Sequence, residues 1–199
     1  MRRVIPALLA IAVAACSSAL RTSYTTHVGP PIKPVQVPVY IDVRFESQEQ
    51  ISIAEAVDEW NGALNGYRRF SIATNRFDMD PAVLSRVHMT GLGLVVLRNT
   101  SDDYVGAWVP REVLAWSTLN GWVIHVMADH MGERSLRRVM LHEMGHILGI
   151  SHTETPGSLM RSEYRNAGQC IDRDTLVQLT TVHPYYSIGF LNWCEVTNQ

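Results

Sequence analysis

The stretch HEMGHILGISH spans residues 142–152. On a helix, His142 and His146 share one face, with side chains about 5–6 Å apart, because they are four residues apart. Two imidazoles at this spacing can bind one zinc ion. A straight helix would carry His152 about 15 Å along its axis from His142, but Gly149 can adopt a positive φ, end the helix and turn the chain back. The sequence therefore predicts that three imidazoles bind one zinc ion and leave its fourth position open to water.

Glu143 follows the first of these histidines and lies about 100° further round the helix, so it is not needed as a ligand. Zinc lowers the pKa of a bound water toward neutrality, and a nearby carboxylate can take the proton. The hydroxide then attacks a carbonyl, and the carboxylate returns the proton to the leaving amine. The pattern predicts peptide-bond hydrolysis with Glu143 as the general base. The alternative is a non-catalytic surface protein that uses a zinc ion and the same scaffold to bind a partner.

The spacing of these residues resembles the motif of the metzincin peptidases, H-E-x-x-H-x-x-G-x-x-H followed by a Met-turn. Met160 lies eight residues beyond His152, which is similar to the matrixin branch. The resemblance implies that Met160 packs beneath the histidines as a hydrophobic base, and that the protein is a zinc endopeptidase. The similarity extends over residues 37–182, although only 142–160 carries a specific motif.

The resemblance also implies an α+β fold of the metzincin, zincin-like type. Its expected parts are a twisted, mostly parallel five-stranded sheet with one antiparallel edge strand, an active-site helix, a second long helix and a small C-terminal subdomain. The hydrophobic pattern predicts the same order of elements. Strands are expected over 37–45, 69–73, 93–98, 113–119 and 122–127, and helices over 51–64, 136–148 and 172–179.

Three local signals support these boundaries. Ser47 and Gln50 have the spacing of a capping box before the first helix. Ser135 is a favourable N-cap for the helix that carries the zinc motif. The dipeptide at 120–121, Asn-Gly, predicts a hairpin between the last two strands.

The first arm of that hairpin is the expected substrate-binding strand. Metzincins align an extended peptide against the antiparallel edge strand above the zinc, and the matching residues here are Leu114, Ala115 and Trp116. Free N–H and C=O groups on an edge strand can pair with any extended backbone. An edge strand without a ligand is the alternative. Relatives with an oxyanion-stabilising tyrosine have it two residues after the Met-turn, but the nearest tyrosine here is Tyr164, which is expected to stabilise the oxyanion or to line the pocket.

The resemblance to matrixins also points to the positions of two further metal sites. His125 falls where matrixins place one ligand of a second, structural zinc, but Met127 occupies the position of a required aspartate, so one catalytic zinc is predicted. Asp102 and Asp103 lie in a loop where matrixins often bind calcium. A solvated acidic turn is the preferred interpretation there, with Ca²⁺ as the alternative.

Residues 1–16 resemble the signal peptide of a bacterial lipoprotein. Two arginines precede an apolar stretch over 4–14 that is too short to span a bilayer comfortably, and the sequence VAAC at 13–16 resembles a lipobox. This pattern predicts lipid modification of Cys16 and a protein anchored to the cell envelope, at the outer membrane or the cell surface. Ordinary secretion and an uncleaved N-terminal anchor are the alternatives.

Residues 17–36 are rich in serine, threonine and proline, which predicts a stiff tether between the anchor and the domain. The catalytic domain is expected over 37–199, and one domain suits the chain length. Besides Cys16, the chain contains only Cys170 and Cys194. Export to an oxidising compartment predicts a disulfide between these two, with two buried thiols as the alternative.

The composition and charge limit the partners that are expected. The net charge is −2, with 18% charged and 46% hydrophobic residues. No basic stripe is present, so nucleic acid is not an expected partner. We expect a monomer that binds an extended polypeptide and contacts a membrane only through its N-terminal lipid anchor. The amide bonds of peptidoglycan peptides are a further substrate class that the pattern leaves open.

Overall fold

The computed structural model describes residues 21–73, 93–104, 109–117 and 121–197. The strands in this part of the chain are β1 (Arg21–Tyr24), β2 (Val35–Ile41), β3 (Arg68–Ile72), β4 (Leu94–Asn99), β5 (Ala115–Ser117), β6 (Val123–Met127) and β7 (Cys194–Thr197). The helices are α1 (Ser47–Leu64), the single turn α2 (Ala128–Met131), α3 (Leu136–Ile147) and α4 (Arg173–Val182). Short 3₁₀ turns lie at Ser101–Asp103, Tyr164–Asn166 and Ile188–Phe190.

Five strands form the main sheet in the order β3-β2-β4-β6-β5. Neighbouring strands are parallel except for β5, which runs antiparallel to β6 at the edge. The predicted mostly parallel sheet with one antiparallel edge strand is therefore confirmed. Strand β2 ends at Ile41 rather than at residue 45, because the chain turns at the buried Asp42. Its carboxylate accepts hydrogen bonds from the backbone N–H groups of Arg44 and Arg98.

Strand β4 lies in the middle of the sheet and is buried on both faces. Leu94 and Val96 belong to the main core, which the sheet shares with α1 and α3, whereas Val95 and Leu97 form a smaller cluster on the opposite face. A continuous apolar run is typical of a strand in this position. Burial on both faces therefore explains why the sequence of β4 is apolar without interruption.

The cap of α1 differs from the predicted one. Glu46, not Ser47, is the N-cap, and its backbone N–H donates to the Glu49 carboxylate at 2.7 Å. The side chain of Gln50 instead donates to the carbonyl of Phe45. The predicted capping box, Ser47 with Gln50, is therefore wrong by one residue, because the observed pair is Glu46 with Glu49. A charged carboxylate at the same spacing accepts the hydrogen bond more strongly than an amide does.

Residues 21–36 lie against the domain instead of standing free as a tether. Strand β1 pairs antiparallel with β7, which places Tyr24 opposite Cys194. Directly after β1, the backbone N–H of Thr25 donates to the carbonyl of Trp193 at 2.9 Å. The prediction of a stiff tether is therefore wrong for these residues. Hydrogen bonds to a distant strand hold this polar segment against the domain.

Cys170 and Cys194 form the expected disulfide, with Cα atoms 6.3 Å apart. The bond joins the segment before α4 to the start of β7 across a sequence separation of 24 residues. Closing a loop of this length stabilises a folded domain by about 3 kcal/mol in the chain-entropy description.

The predicted signal peptide, 1–16, and its lipidation site Cys16 lie outside the described residues, as do residues 17–20 of the predicted tether and 118–120 of the hairpin turn. The lipid anchor therefore stays a prediction. None of the described helices combines the length and the apolar character that crossing a membrane requires.

Candidate metal centre

Helix α3 carries the first two histidines of the motif. It begins after Ser135, whose hydroxyl accepts a hydrogen bond from a backbone N–H three residues later, as predicted for an N-cap. The buried Trp60 of α1 donates its indole N–H to the carbonyl of Leu141 at 3.0 Å, which fixes α3 against the core. His142 and His146 are less buried than their neighbours on α3, and their Nε2 atoms lie 3.1 Å apart.

Gly149 turns the chain after α3, as the sequence predicts. Its φ is 85°, a conformation that favours glycine over residues with a Cβ. Its N–H donates to the carbonyl of His146, and the N–H of Ile150 donates to the carbonyl of Gly145, which is the Schellman pattern at a helix C-terminus. The turn brings Nε2 of His152 to 3.2 Å from Nε2 of both other histidines.

The three Nε2 atoms form a triangle with sides of 3.1, 3.2 and 3.2 Å. Three nitrogens bound tetrahedrally to one zinc would lie roughly 3.3–3.4 Å from each other, so this donor set fits zinc. Nδ1 of His142 lies 2.9 Å from the carbonyl of Leu159, and Nδ1 of His146 lies 2.7 Å from that of Ile150. With their Nδ1–H groups donated to these carbonyls, both rings direct an Nε2 lone pair to the centre of the triangle.

The protonation states of these rings also suit metal binding. Burial lowers the pKa of His142 to about 4, and it lowers the pKa of His146 as well. Both imidazoles are therefore neutral at pH 7, as metal ligands must be.

Glu143 lies beside the cluster with 6% of its surface exposed. The hydroxyl of Ser117, on β5, donates a hydrogen bond to its Oε2 at 2.7 Å. Burial raises the pKa of Glu143 to about 7, and the hydrogen bond from Ser117 opposes the rise. Sequence reasoning missed Ser117, because no spacing connects it with a carboxylate 26 residues later in the chain.

Met160 is fully buried against the helical turn that carries the histidines. A Cβ on Gly145, which lies in that turn, would be 2.5 Å from the Met160 Sδ, so the small residue lets the methionine approach the helix. The carbonyl of Met160 accepts a hydrogen bond from the N–H of Thr153 at 3.0 Å. The Met-turn is thereby tied to the segment that follows His152.

A cleft of about 300 Å³ contains the three histidines and Glu143. The expected substrate-strand residues Leu114, Ala115 and Trp116 all line it, and so do four residues after the Met-turn: Arg161, Ser162, Tyr164 and Ala167. Within the described part of the chain, β5 pairs only with β6. Its other edge can therefore accept an extended peptide by backbone hydrogen bonding.

A sequence model of the matrixin peptidases matches residues 36–180. The chain belongs to the matrixin family. No match was found among curated protein sequences.

Solved structures with a similar fold include archaemetzincin from Methanopyrus kandleri, with a TM-score of 0.51 and 13% identity, covering 76% of this matrixin and 97% of that chain. At this identity the likeness shows the fold alone. High choriolytic enzyme 1, a hatching-enzyme zinc protease from the medaka fish Oryzias latipes, has a TM-score of 0.37 and 18% identity, over 67% of this chain. This matrixin spans 52% of the length of that protein.

Tyr164 of this matrixin forms part of the cleft wall. Its hydroxyl accepts a hydrogen bond from the backbone N–H of Ser135 at 2.8 Å. Ser135 precedes α3 and lies about two helical turns before His142, so the hydroxyl is engaged away from the nitrogen cluster. Tyr164 therefore lies in the wall of the cleft, and its role in stabilising an oxyanion stays a prediction.

His125 and Asp103, at the positions of the further metal sites of matrixins, contact other residues of the protein. His125 stacks on Trp116, with ring centroids 4.8 Å apart and planes within 5°, and its Nδ1 lies 3.2 Å from the amide nitrogen of Asn99. The carboxylate of Asp103 accepts a hydrogen bond from the N–H of Thr100 at 2.7 Å, which lowers its pKa. Among the described residues, the one group of three or more side chains placed to share a metal ion is the histidine cluster.

Proposed function

We propose that this matrixin is a zinc-dependent endopeptidase that hydrolyses polypeptides bound in an extended conformation. The observation that carries the proposal is the convergence of three imidazole nitrogens, 3.1–3.2 Å apart, in a cleft that also holds the buried Glu143. A protein that only bound a partner would have no need of a buried acid beside this cluster.

His142, His146 and His152 would hold the metal. Zinc at this position would supply a water of near-neutral pKa and would polarise the substrate carbonyl. The carbonyls of Leu159 and Ile150 keep two of the rings in one tautomer and orientation. Met160 and Gly145 pack below them, so the ligands do not need to reorganise when the metal binds.

Glu143 supplies the proton transfers. One carboxylate oxygen accepts the hydrogen bond from Ser117, which leaves the other free to accept a proton from the attacking water and to pass it to the leaving amine. Because the group is buried and held on two sides, by α3 and by β5, it needs little reorientation between these two steps.

Strand β5 positions the substrate. A peptide paired with its free edge lies beside Glu143, because Ser117 belongs to that same strand. The backbone hydrogen bonds of such a pairing carry no sequence preference, so any selectivity must come from side chains that line the cleft.

The proposed activity is tested with zinc-loaded protein, casein and a random peptide library. We expect cleavage of both, loss of cleavage when a chelator removes the zinc, and recovery when zinc is restored. Protein that binds zinc but leaves both substrates intact would instead support the non-catalytic binding function.

Ser117→Ala is expected to lower kcat about 10-fold, because Glu143 loses a hydrogen bond of the charge-assisted kind. KM should stay within about twofold, since the backbone edge of β5 that pairs with substrate is unchanged. Ser117→Thr keeps a hydroxyl and should restore most of the activity. The measurements are kcat and KM on one peptide together with zinc content. An unchanged kcat in the alanine variant, or a change confined to KM, would show that Ser117 does not position the base.

A further inference from the structure

The cleft contains a buried cation that has no carboxylate partner within the described residues. Arg138, on α3 one turn before His142, is 5% exposed and lines the cleft. Its guanidinium group donates to the carbonyls of Tyr164 and Ala167 and lies 4.1 Å from the centre of the Tyr164 ring. Its Nε is buried and makes no hydrogen bond.

Four other arginines of the described part of the chain have an acidic partner, whereas Arg68 shares with Arg138 a buried Nε that makes no hydrogen bond. The nearest charged atoms are at most 3.4 Å apart in the pairs Arg44–Asp42, Arg98–Glu49, Arg137–Glu59 and Arg161–Glu154. A buried charge is costly unless it is paired. Two carbonyls and an aromatic ring offset part of that cost for Arg138, but they do not neutralise it, and one N–H remains without an acceptor.

A second cation lies in the same cleft. Arg161 lines it together with Arg138, and the Arg161 Nε is also buried without a hydrogen-bond partner, although its terminal nitrogens contact Glu154. Of the acids in the cleft, Glu143 is hydrogen-bonded to Ser117 on β5, and Glu112 is exposed. Neither acid forms an ion pair with Arg138, so the guanidinium keeps an uncompensated positive charge in this part of the cleft.

We propose that Arg138 selects substrates with an acidic side chain, aspartate or glutamate, close to the scissile bond. A carboxylate in the cleft would supply the counter-charge that the Arg138 guanidinium lacks. Because Arg138 and His142 are four residues apart on α3, they are neighbours on one helical face. The acidic residue therefore lies within a residue or two of the bond that is cut. This selectivity rests on the proposed peptidase function.

The alternative is that Arg138 has a purely structural role. Arg138 connects α3 to the carbonyls of Tyr164 and Ala167, so it could serve only to hold the wall of the cleft. In that case its replacement would impair all substrates alike and would leave no difference between acidic and neutral peptides.

The test compares zinc-loaded wild type with Arg138→Gln on fluorogenic peptides that carry Glu, Gln or Leu at each position flanking the cleaved bond. Wild type is expected to cleave the best Glu peptide with a kcat/KM about 10- to 100-fold above its Gln and Leu counterparts. Arg138→Gln should lose this ratio, so that its kcat/KM for the Glu peptide equals its kcat/KM for the Gln and Leu peptides. Arg165→Gln, which changes an exposed arginine outside the cleft lining, should keep the ratio.

A binding measurement covers the case in which Arg138→Gln fails to fold. Zinc-loaded Glu143→Gln protein, with Arg138 intact, is titrated with blocked alanine heptapeptides that carry one Glu or one Gln. The Glu peptide should bind about 10-fold tighter or more, and the difference should shrink with added salt. Equal affinity, or a wild-type enzyme that cleaves Glu and Gln peptides equally well, overturns the proposal. Because this readout needs no catalysis, it separates failure of the selectivity from failure of the peptidase function.

Discussion

Glu143→Gln is expected to lower kcat for peptide hydrolysis by about 10³-fold or more, because the variant has no base to take or return a proton. Glutamine has nearly the same shape, and its amide oxygen can still accept the hydrogen bond from Ser117. The three histidines are unchanged, so zinc should bind as in the wild type. The measurements are kcat on a library-derived peptide and the zinc content of the purified protein.

Glu163→Gln provides the matched control. Glu163 is exposed and accepts a hydrogen bond from the side chain of Asn166, so the same chemical change there should leave kcat and zinc content as they are. If Glu143→Gln kept more than about a tenth of the wild-type kcat with its zinc intact, the base would have to be another group. Loss of zinc in this variant would show that the carboxylate supports the metal instead.

The metal cluster was predictable from sequence because every step that builds it is local. The spacing of four residues puts His142 and His146 on one face, and Gly149 takes the positive φ that ends α3 and returns His152. The central strand was predictable for a similar reason, since its continuous apolar run reports burial on both faces. The relative directions of the strands came from the resemblance and not from the pattern.

The features that were missed depend on contacts between distant parts of the chain. Ser117 meets Glu143 only because the fold places β5 beside α3. Strand β1 is short and polar, so its pairing with β7 leaves no periodic signal. Nothing in the sequence distinguishes Arg138 from an ordinary polar position on a helix. Its lack of a counter-ion becomes visible only when the residues packed around it are known.

His152→Ala is expected to lower zinc affinity by about 10²-fold or more, since loss of an outer-shell partner of a ligand alone costs 10–100-fold. The side chain is exposed, so its removal leaves the hydrophobic core intact and the apoprotein should fold. His142 and His146 remain on α3, but two nitrogens cannot replace a set of three that lie 3.1–3.2 Å apart. Hydrolysis should fall to background at zinc concentrations that saturate the wild type.

Zinc content and thermal unfolding with and without zinc measure this loss. A metal that binds only the folded state raises the melting temperature, so zinc should stabilise the wild type and have little effect on His152→Ala. His27→Ala is the matched control, because His27 packs on Trp193 outside the cluster and its removal should leave the zinc response intact. If His152→Ala retained a full equivalent of tightly held zinc, the third nitrogen would not be a ligand. The reaction would then require a different donor set from the one that Gly149 brings together.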